Sequence, residues 1–489
     1  MKKHGTSVNT ARRYTHSQME CFHMNSFDSI VNTINDILYS YLIIIMLLAV
    51  GLYFTIRTRF VQLRYLLESI RVVGERSSGQ HSVSSFQALM ISTASRVGTG
   101  NIAGVATAIA IGGHGSVFWM WVTAAVGGAS AFVESTLAQI YKQKEGNHYR
   151  GGPAYYIQSA LGSRTFGVMF AVFLILCFGY GFNPLQAYNL SSALEYYFTD
   201  YSESHVPMLL GATLAILTGL SIFGGVTRIG KVTSAVVPLM ALIYIALSLA
   251  VFFKNMDVFP AAMARIFEKA FDFEAIFGGF AGSCIMQGIK RGLYSNEAGM
   301  GSAPNAAAAA TVSHPVKQGL VQMLSVFLDT LVICSASSMI ILLSGMEPDG
   351  ALRGMPYVQR AVHGQFGEWG IHFITVSTFF FAFSSLLGNY YYTESNLLFI
   401  KNNRKLLTVY RWSSLVAIFI GAQYAFDTAW NVADMLMGLM TLVHLVPLFI
   451  LGGIAVKALN DYAAKKRAGH ASPAFKASDI GLADTDVWK

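Results

Sequence analysis

Residues 96–104 read Arg96-Val97-Gly98-Thr99-Gly100-Asn101-Ile102-Ala103-Gly104. The stretch contains G-x-G-x-x-A, the pattern of a dinucleotide-binding turn. Such a turn needs a strand before it, a helix after it and an acidic residue about 20 positions on. Here an apolar helical segment precedes it, and the region near position 120 reads Phe118-Trp119-Met120-Trp121. The glycines are therefore read as a break in an apolar helix, not as a phosphate turn.

The rest of the chain supports that context. Of 489 residues, 54% are apolar and 12% charged, whereas soluble domains carry about 25% charged residues. Apolar runs of about 18 residues recur, each long enough to cross a bilayer. The chain reads as an all-α polytopic membrane protein. The formal charge of +8 fits basic loops held on the cytoplasmic side and calls for no nucleic acid. Cys21, Cys177, Cys284 and Cys334 show no metal or disulfide spacing and are expected as free thiols.

Eleven spans are expected, near 38–56, 84–111, 116–141, 166–185, 207–223, 232–253, from 273, then 320–343, 371–398, 410–423 and 432–456. Alternate loops are basic: Arg57, Arg59, Arg64, Arg71 and Arg76 in one, Lys142, Lys144, Arg150 and Arg164 two spans later. This alternation puts the C-terminus in the cytoplasm. The expected units are a tail at 1–26, a first helix and basic loop at 27–83, five-helix halves at 84–255 and 256–456, and a C-terminal tail at 457–489. The first tail is either disordered or upstream of a native start at Met24.

Each five-helix half begins with a glycine-rich span: Gly98, Gly100 and Gly104 in one, Gly278, Gly279, Gly282, Gly288 and Gly292 in the other. Paired interrupted helices at matching places in two halves mark the binding site of a secondary transporter. Unwound backbone at membrane depth is tolerated only where it is buried or lines a cavity. Its N–H groups can take a carboxylate and its carbonyls a cation. A channel would more naturally build rings of identical residues from several subunits. No H-E-x-x-H occurs and no base sits beside a nucleophile, so an enzyme is not expected.

Several motifs in order then resemble one family. They are FTIRTRFVQLR at 54–64, VGTGNIAGVATAI at 97–109, GGPAYYI at 151–157, FGGVTRIGKV at 223–232, VPLMALIYI at 237–245 and, most specifically, GIKRGLYSNEAGMGSAP at 288–304. The chain resembles the alanine or glycine:cation symporter family over about residues 27–460. The resemblance implies a LeuT-type fold: one extra N-terminal helix, then a five-plus-five inverted repeat with interrupted first and sixth core helices. It also implies sodium-coupled uptake of alanine, glycine or a similar small neutral amino acid across the cytoplasmic membrane. No organic cofactor is implied, and an oligomer is allowed but not required.

On that resemblance, Thr99, Gly100 and Asn101 are substrate candidates, with Asn101 also offering its side-chain oxygen to sodium. Gln186 resembles a substrate-facing glutamine. Gly282, Ser283, Cys284, Met286 and Gln287 surround the expected second break. A second sodium position would use Val97, Phe381, Ser384 and Ser385. Asn389 stands where family members often carry tryptophan, which bears on pocket size. Arg96 is expected to pair with Glu134 or Glu297, and Asn296 and Glu297 to line or brace the inner vestibule. Proton coupling through Glu134 or Asp329 is the alternative. Neither is expected at a break, which favours sodium.

Overall fold

The computed structural model describes residues 27–75, 83–146, 148–198, 200–224, 226–272, 279, 283–348, 350–483 and 485–489. Gly282, residues 1–26 and most of the start of the seventh expected span lie outside them.

The described chain is a packed assembly of helices, with one small hairpin pairing Gln143–Glu145 against His148–Arg150. The main helices are α1 (Phe27–Arg57), α2 (Leu66–Val73), α3 (Ser85–Arg96), α4 (Ala103–Gly112), α5 (Ser116–Ile140), α6 (Arg164–Tyr197), α7 (Val206–Ile222), α8 (Val226–Lys254), α9 (Cys284–Asn296), α10 (Pro304–Ala309), α11 (Pro315–Leu342), α12 (Glu368–Ile400), α13 (Arg404–Gly421) and α14 (Phe426–Arg467). Among the described residues, seven helices are long and apolar enough to cross a membrane: α1, α5, α6, most of α8, α11, α12 and α14. The other expected spans fall on shorter helices. Leu52, Ile216, Leu242 and Ile450 are exposed, while Arg96, Glu134 and Asp329 are buried. Apolar side chains face outward and charges inward, as a lipid solvent demands.

Helix ends are set locally. Ser84 and Gln87 form a reciprocal capping box at the start of α3. α3 stops at Arg96, residues 97 and 98 are not helical, Thr99–Asn101 make one tight turn, and α4 resumes at Ala103. The expected first break is therefore present.

The break expected in the glycine-rich start of the seventh span, around residues 278–282, lies almost wholly outside the described residues. Ser283 caps α9, its hydroxyl accepting from the Met286 N–H, and α9 then runs regularly to Asn296. Among the described residues a second break lies at 297–303, where Glu297, Gly299 and Gly301 take positive φ of 55°, 87° and 85°. Cys284, Met286 and Gln287 lie in the first turn of α9, directly after the segment at 278–282, with Gln287 against Gly112. Gly288 and Gly292 serve close packing: a Cβ on Gly288 would fall 2.5 Å from the Ser116 carbonyl oxygen. The two interrupted helices cross so that α3 packs on α10 and α4 on α9.

The described residues hold three π-helical segments that apolar periodicity does not signal, at Leu38–Leu42 in α1, Ile175–Phe182 in α6 and Leu328–Cys334 in α11. Such segments often occur at functional sites. Cys177, Cys284 and Cys334 are free and buried.

Candidate functional site

The first break gathers most of the expected residues. Asn101 is fully buried. Its side-chain oxygen accepts from the Gly98 N–H at 2.9 Å, closing the break on itself. Its amide donates to Asp329 Oδ1 at 2.7 Å, Ser295 Oγ at 3.0 Å and Cys334 Sγ at 3.3 Å. Asp329 also accepts from Ser295 and Thr330. Among the described residues no Lys, Arg or His forms an ion pair with it. The π-helical spacing, i to i+5, presents Asp329 and Cys334 together to Asn101. Asp329 is thus at the break, contrary to expectation.

On the neighbouring side, Gln186 Oε1 accepts from both the Thr99 N–H (3.0 Å) and the Thr99 hydroxyl (2.8 Å). The Thr99 N–H expected to bind a carboxylate is thus held by Gln186. Asn189, one turn on, donates to Thr99 Oγ1 at 2.8 Å. Gln186 Nε2 donates to the Tyr294 hydroxyl at 3.0 Å. The Tyr294 ring closes on Gly100, where a Cβ would come within 2.3 Å of it. Phe182 and Trp430 meet that ring edge-on, at centroid distances of 4.7 and 5.5 Å. Thr99, Gly100, Asn101 and Gln186 are therefore brought together.

The expected second sodium set divides. Ser385 donates to the Ala94 and Ser95 carbonyls at 3.1 and 3.3 Å and would clash with a Cβ on Gly98. Ser385 therefore touches the first break, next to Val97. Ser384 turns instead to the Phe381 carbonyl of its own helix (3.1 Å) and to Met240, the back-bonding common for serine in helices. Asn389 accepts from Ser95 at 2.7 Å and donates to Asn183 at 3.0 Å. It braces the end of α3 and makes no hydrogen bond to Thr99 or Gln186.

The second break is fastened by charge. Glu297 accepts from Ser95 at 2.8 Å and from Ser302 at 2.6 Å, which ties the two breaks together. Asn296 accepts from the Ala298 N–H at 3.0 Å. Glu134 accepts from the Gly299 N–H at 3.5 Å and lies 3.7 Å from His444. His444 donates to the Gly299 carbonyl at 2.7 Å and meets the Tyr156 hydroxyl on its other nitrogen. Glu134 thus lies at the break at 297–303 and at neither expected break, so only Asp329 departs from the expectation. Arg96 does not form an ion pair with Glu134 or Glu297. Its guanidinium bonds Gln322 on α11 at 3.3 and 3.4 Å.

A further charged group was missed in the sequence. Arg291 and Lys290 of α9 both pair with Asp434 of α14, and Arg291 lies 4.4 Å over the Trp430 ring. GIKRG signalled the two cations, but nothing nearby in sequence signalled Asp434.

The sodium:alanine symporter family matches residues 24–477. The amino-acid carrier protein AlsT of Bacillus subtilis is 47% identical over 95% of this chain and 98% of its own. The probable sodium/glutamine symporter GlnT of the same organism is 46% identical over 90% of this chain and 92% of its own. The sodium/alanine symporter AgcS of Methanococcus maripaludis is 37% identical over 89% of this chain and 98% of its own. A family match across nearly the whole chain, with relatives of the same length and buried polar groups gathered at a helix break, makes this chain a member of the sodium:alanine symporter family, a family of membrane transporters.

Proposed function

We propose that the chain carries a small neutral amino acid, alanine or glycine first, into the cell together with sodium, by alternating access. The proposal includes eleven crossings, a five-plus-five inverted repeat and a cytoplasmic C-terminus. One observation carries it: Asp329 is buried against Asn101 at an interrupted helix, with no Lys, Arg or His in ion-pair contact among the described residues. A lone carboxylate at membrane depth is costly, and a bound cation offsets that cost. The donors around it suit sodium. Asp329 offers carboxylate oxygen, Ser295 and Thr330 hydroxyls, and hard cations prefer oxygen ligands.

Substrate would meet the neighbouring face of the same break. Gln186 keeps the Thr99 N–H and hydroxyl satisfied, and an amino acid's carboxylate would displace its oxygen. Tyr294, Phe182 and Trp430 bound the space beside Gly100 and limit side-chain size. A substrate as large as glutamine would need that wall to move. Asn101 contacts both faces, so cation and substrate would stabilise one arrangement together. Glu297, bonded to both breaks, would pass that arrangement to the second interrupted helix.

Proton coupling is the second reading, favoured by Glu134 beside His444 and Tyr156 at the second break. Uptake of radiolabelled alanine by proteoliposomes separates the readings. Sodium symport predicts accumulation with an inward sodium gradient and none without it, competed by glycine and serine, with glutamine testing the size limit. Accumulation driven equally by a pH gradient without sodium would overturn it.

A further inference from the structure

We infer that the cavity between the C-terminal ends of α1 and α14 binds the headgroup of an anionic phospholipid. The inference goes beyond the transport reading and needs only that the chain lie in a bilayer.

The cavity holds about 360 Å³ and its lining includes Arg57, Arg59, Arg64, Tyr65, Lys466 and Arg467. Lys466 is already paired, 3.0 Å from Glu68. Burial pushes the Glu68 carboxyl up, but hydrogen bonds from Arg71, Tyr462 and Lys466 outweigh it and hold Glu68 at about 2. The four arginines are different. Among the described residues none of them has a carboxylate partner. Arg57 and Arg64 lie over the rings of Tyr53 and Tyr65, and Arg64 and Arg467 bond backbone carbonyls. None of these contacts cancels charge. Four arginines around one small cavity repel one another unless an anion joins them, and guanidinium geometry suits phosphate.

The backbone is bent to make this cavity. Arg59 and Phe60 both adopt left-handed conformations, with φ of 56° and 59°. Two consecutive non-glycine residues there store strain, a mark of sites over-determined by their surroundings. The turn brings Arg57, Arg59 and Arg64 around the same space as Arg467 of α14.

A second feature selects lipid over a free anion. Phe60, Leu63, Leu67 and Ile70 are 51%, 71%, 81% and 55% exposed. Their spacing of three, four and three places them along one face of the turn and α2. An exposed apolar stripe beside a basic site is the pattern of an interfacial helix. Basic clusters at the ends of spanning helices recognise anionic headgroups. The phosphate would sit among the arginines and the acyl chains would run along the stripe.

The test is native mass spectrometry of the full-length protein, delipidated in detergent and titrated with phosphatidylglycerol or phosphatidylcholine. Millimolar inorganic phosphate serves as a competitor. Wild type should retain phosphatidylglycerol in preference, and phosphate should not release it. Combining Arg57→Gln, Arg59→Gln and Arg467→Gln should erase the preference, with a loss of about fivefold in affinity for each arginine neutralised. Equal retention of the two lipids by wild type overturns the proposal even if the triple variant does not fold. So does release by phosphate, which would mark a free-anion site, or a folded triple variant that keeps the preference. No transport is measured, so failure here leaves the symport reading untouched.

Discussion

The first break and α9 use their glycines in opposite ways. At the first, Gly98 and Gly100 lie inside the break and admit Ser385, Gln186 and the Tyr294 ring at distances no Cβ would allow. In α9, which follows the segment around residues 278–282 that lies almost wholly outside the described residues, the helix is regular. Gly288 and Gly292 there let α9 pack against α5. A break among the described residues follows α9 in SNEAGMGS, where Gly299 and Gly301 need positive φ. Glycine frequency alone cannot separate packing from unwinding, because a missing Cβ serves both.

The fasteners differ as well. The first break is held by amides and hydroxyls, with one carboxylate, Asp329, among them. The second is held by Glu297, Glu134 and His444. This contrast supports the proposal of ligand exchange at the first and mechanical coupling at the second, and it can be broken by substitution.

The largest effect on stability is expected at Glu297. Glu297→Ala would orphan the Ser302 hydroxyl and leave Ser95 bonded to Asn389 alone, costing roughly 1–3 kcal/mol. Glu297→Gln should recover most of it, read as melting temperature in detergent. Equal melting of both variants and wild type would remove the fastening role. Gly301→Ala comes next. Its φ of 85° and a His444 ring atom 2.8 Å from the added Cβ predict a cost of about 1–3 kcal/mol. A wild-type melting curve would show that the positive φ is dispensable.

Gln186→Glu sharpens the contrast from the other side. It places a resident carboxylate on the Thr99 N–H, where a charge-assisted bond outcompetes a neutral one. Apparent alanine affinity should fall about tenfold with the fold intact. Unchanged affinity would separate Gln186 from substrate.

A pH effect follows at the inner arm of the second break. Lys142, just beyond α5, donates to the Ala310 carbonyl at 2.9 Å and lies over the Tyr149 and Trp488 rings. Burial pushes its ammonium down to about 7 from 10.5. The folded value lies below the unfolded one, so the buried charge costs stability at low pH. That cost is relieved as pH rises through about 7, and anchoring of the C-terminal tail should strengthen from there towards 10.5. Nicking at Lys476, normalised to an unfolded peptide, should be slower at the alkaline end of that window. Indifference to pH would detach Lys142 from the anchor.

The smallest effect belongs to a glycine outside both breaks. Gly453 lies within α14 with nothing near its missing Cβ. Gly453→Ala should be neutral or stabilise by up to about 1 kcal/mol. Destabilisation there would show that free space around a helical glycine does not predict tolerance.

Much of the first break was legible in the sequence. RVGTGNIAG gave its place, and Asn101, Thr99 and Gln186 converge as expected. Ser385 reaches it, but Ser384 does not, because adjacent residues on a helix point about 100° apart. Asp329 was visible only as a charge. Its arrival at Asn101 depends on a π-helical stretch in α11 that apolar periodicity does not report. Arg96 found Gln322 rather than a carboxylate because α11 packs beside α3, a tertiary fact with no local signature. The break at 297–303 was not legible, because no composition reveals the backbone angles of its two-glycine motif.

The central claim is that cation coupling resides at the first break. Its most direct test is the sodium dependence of alanine uptake into proteoliposomes by Asp329→Asn, set beside Glu134→Gln. The account predicts that Asp329→Asn loses sodium-stimulated uptake while Glu134→Gln keeps it. Normal sodium dependence in Asp329→Asn, with its loss in Glu134→Gln, would contradict the account and move coupling to the second break.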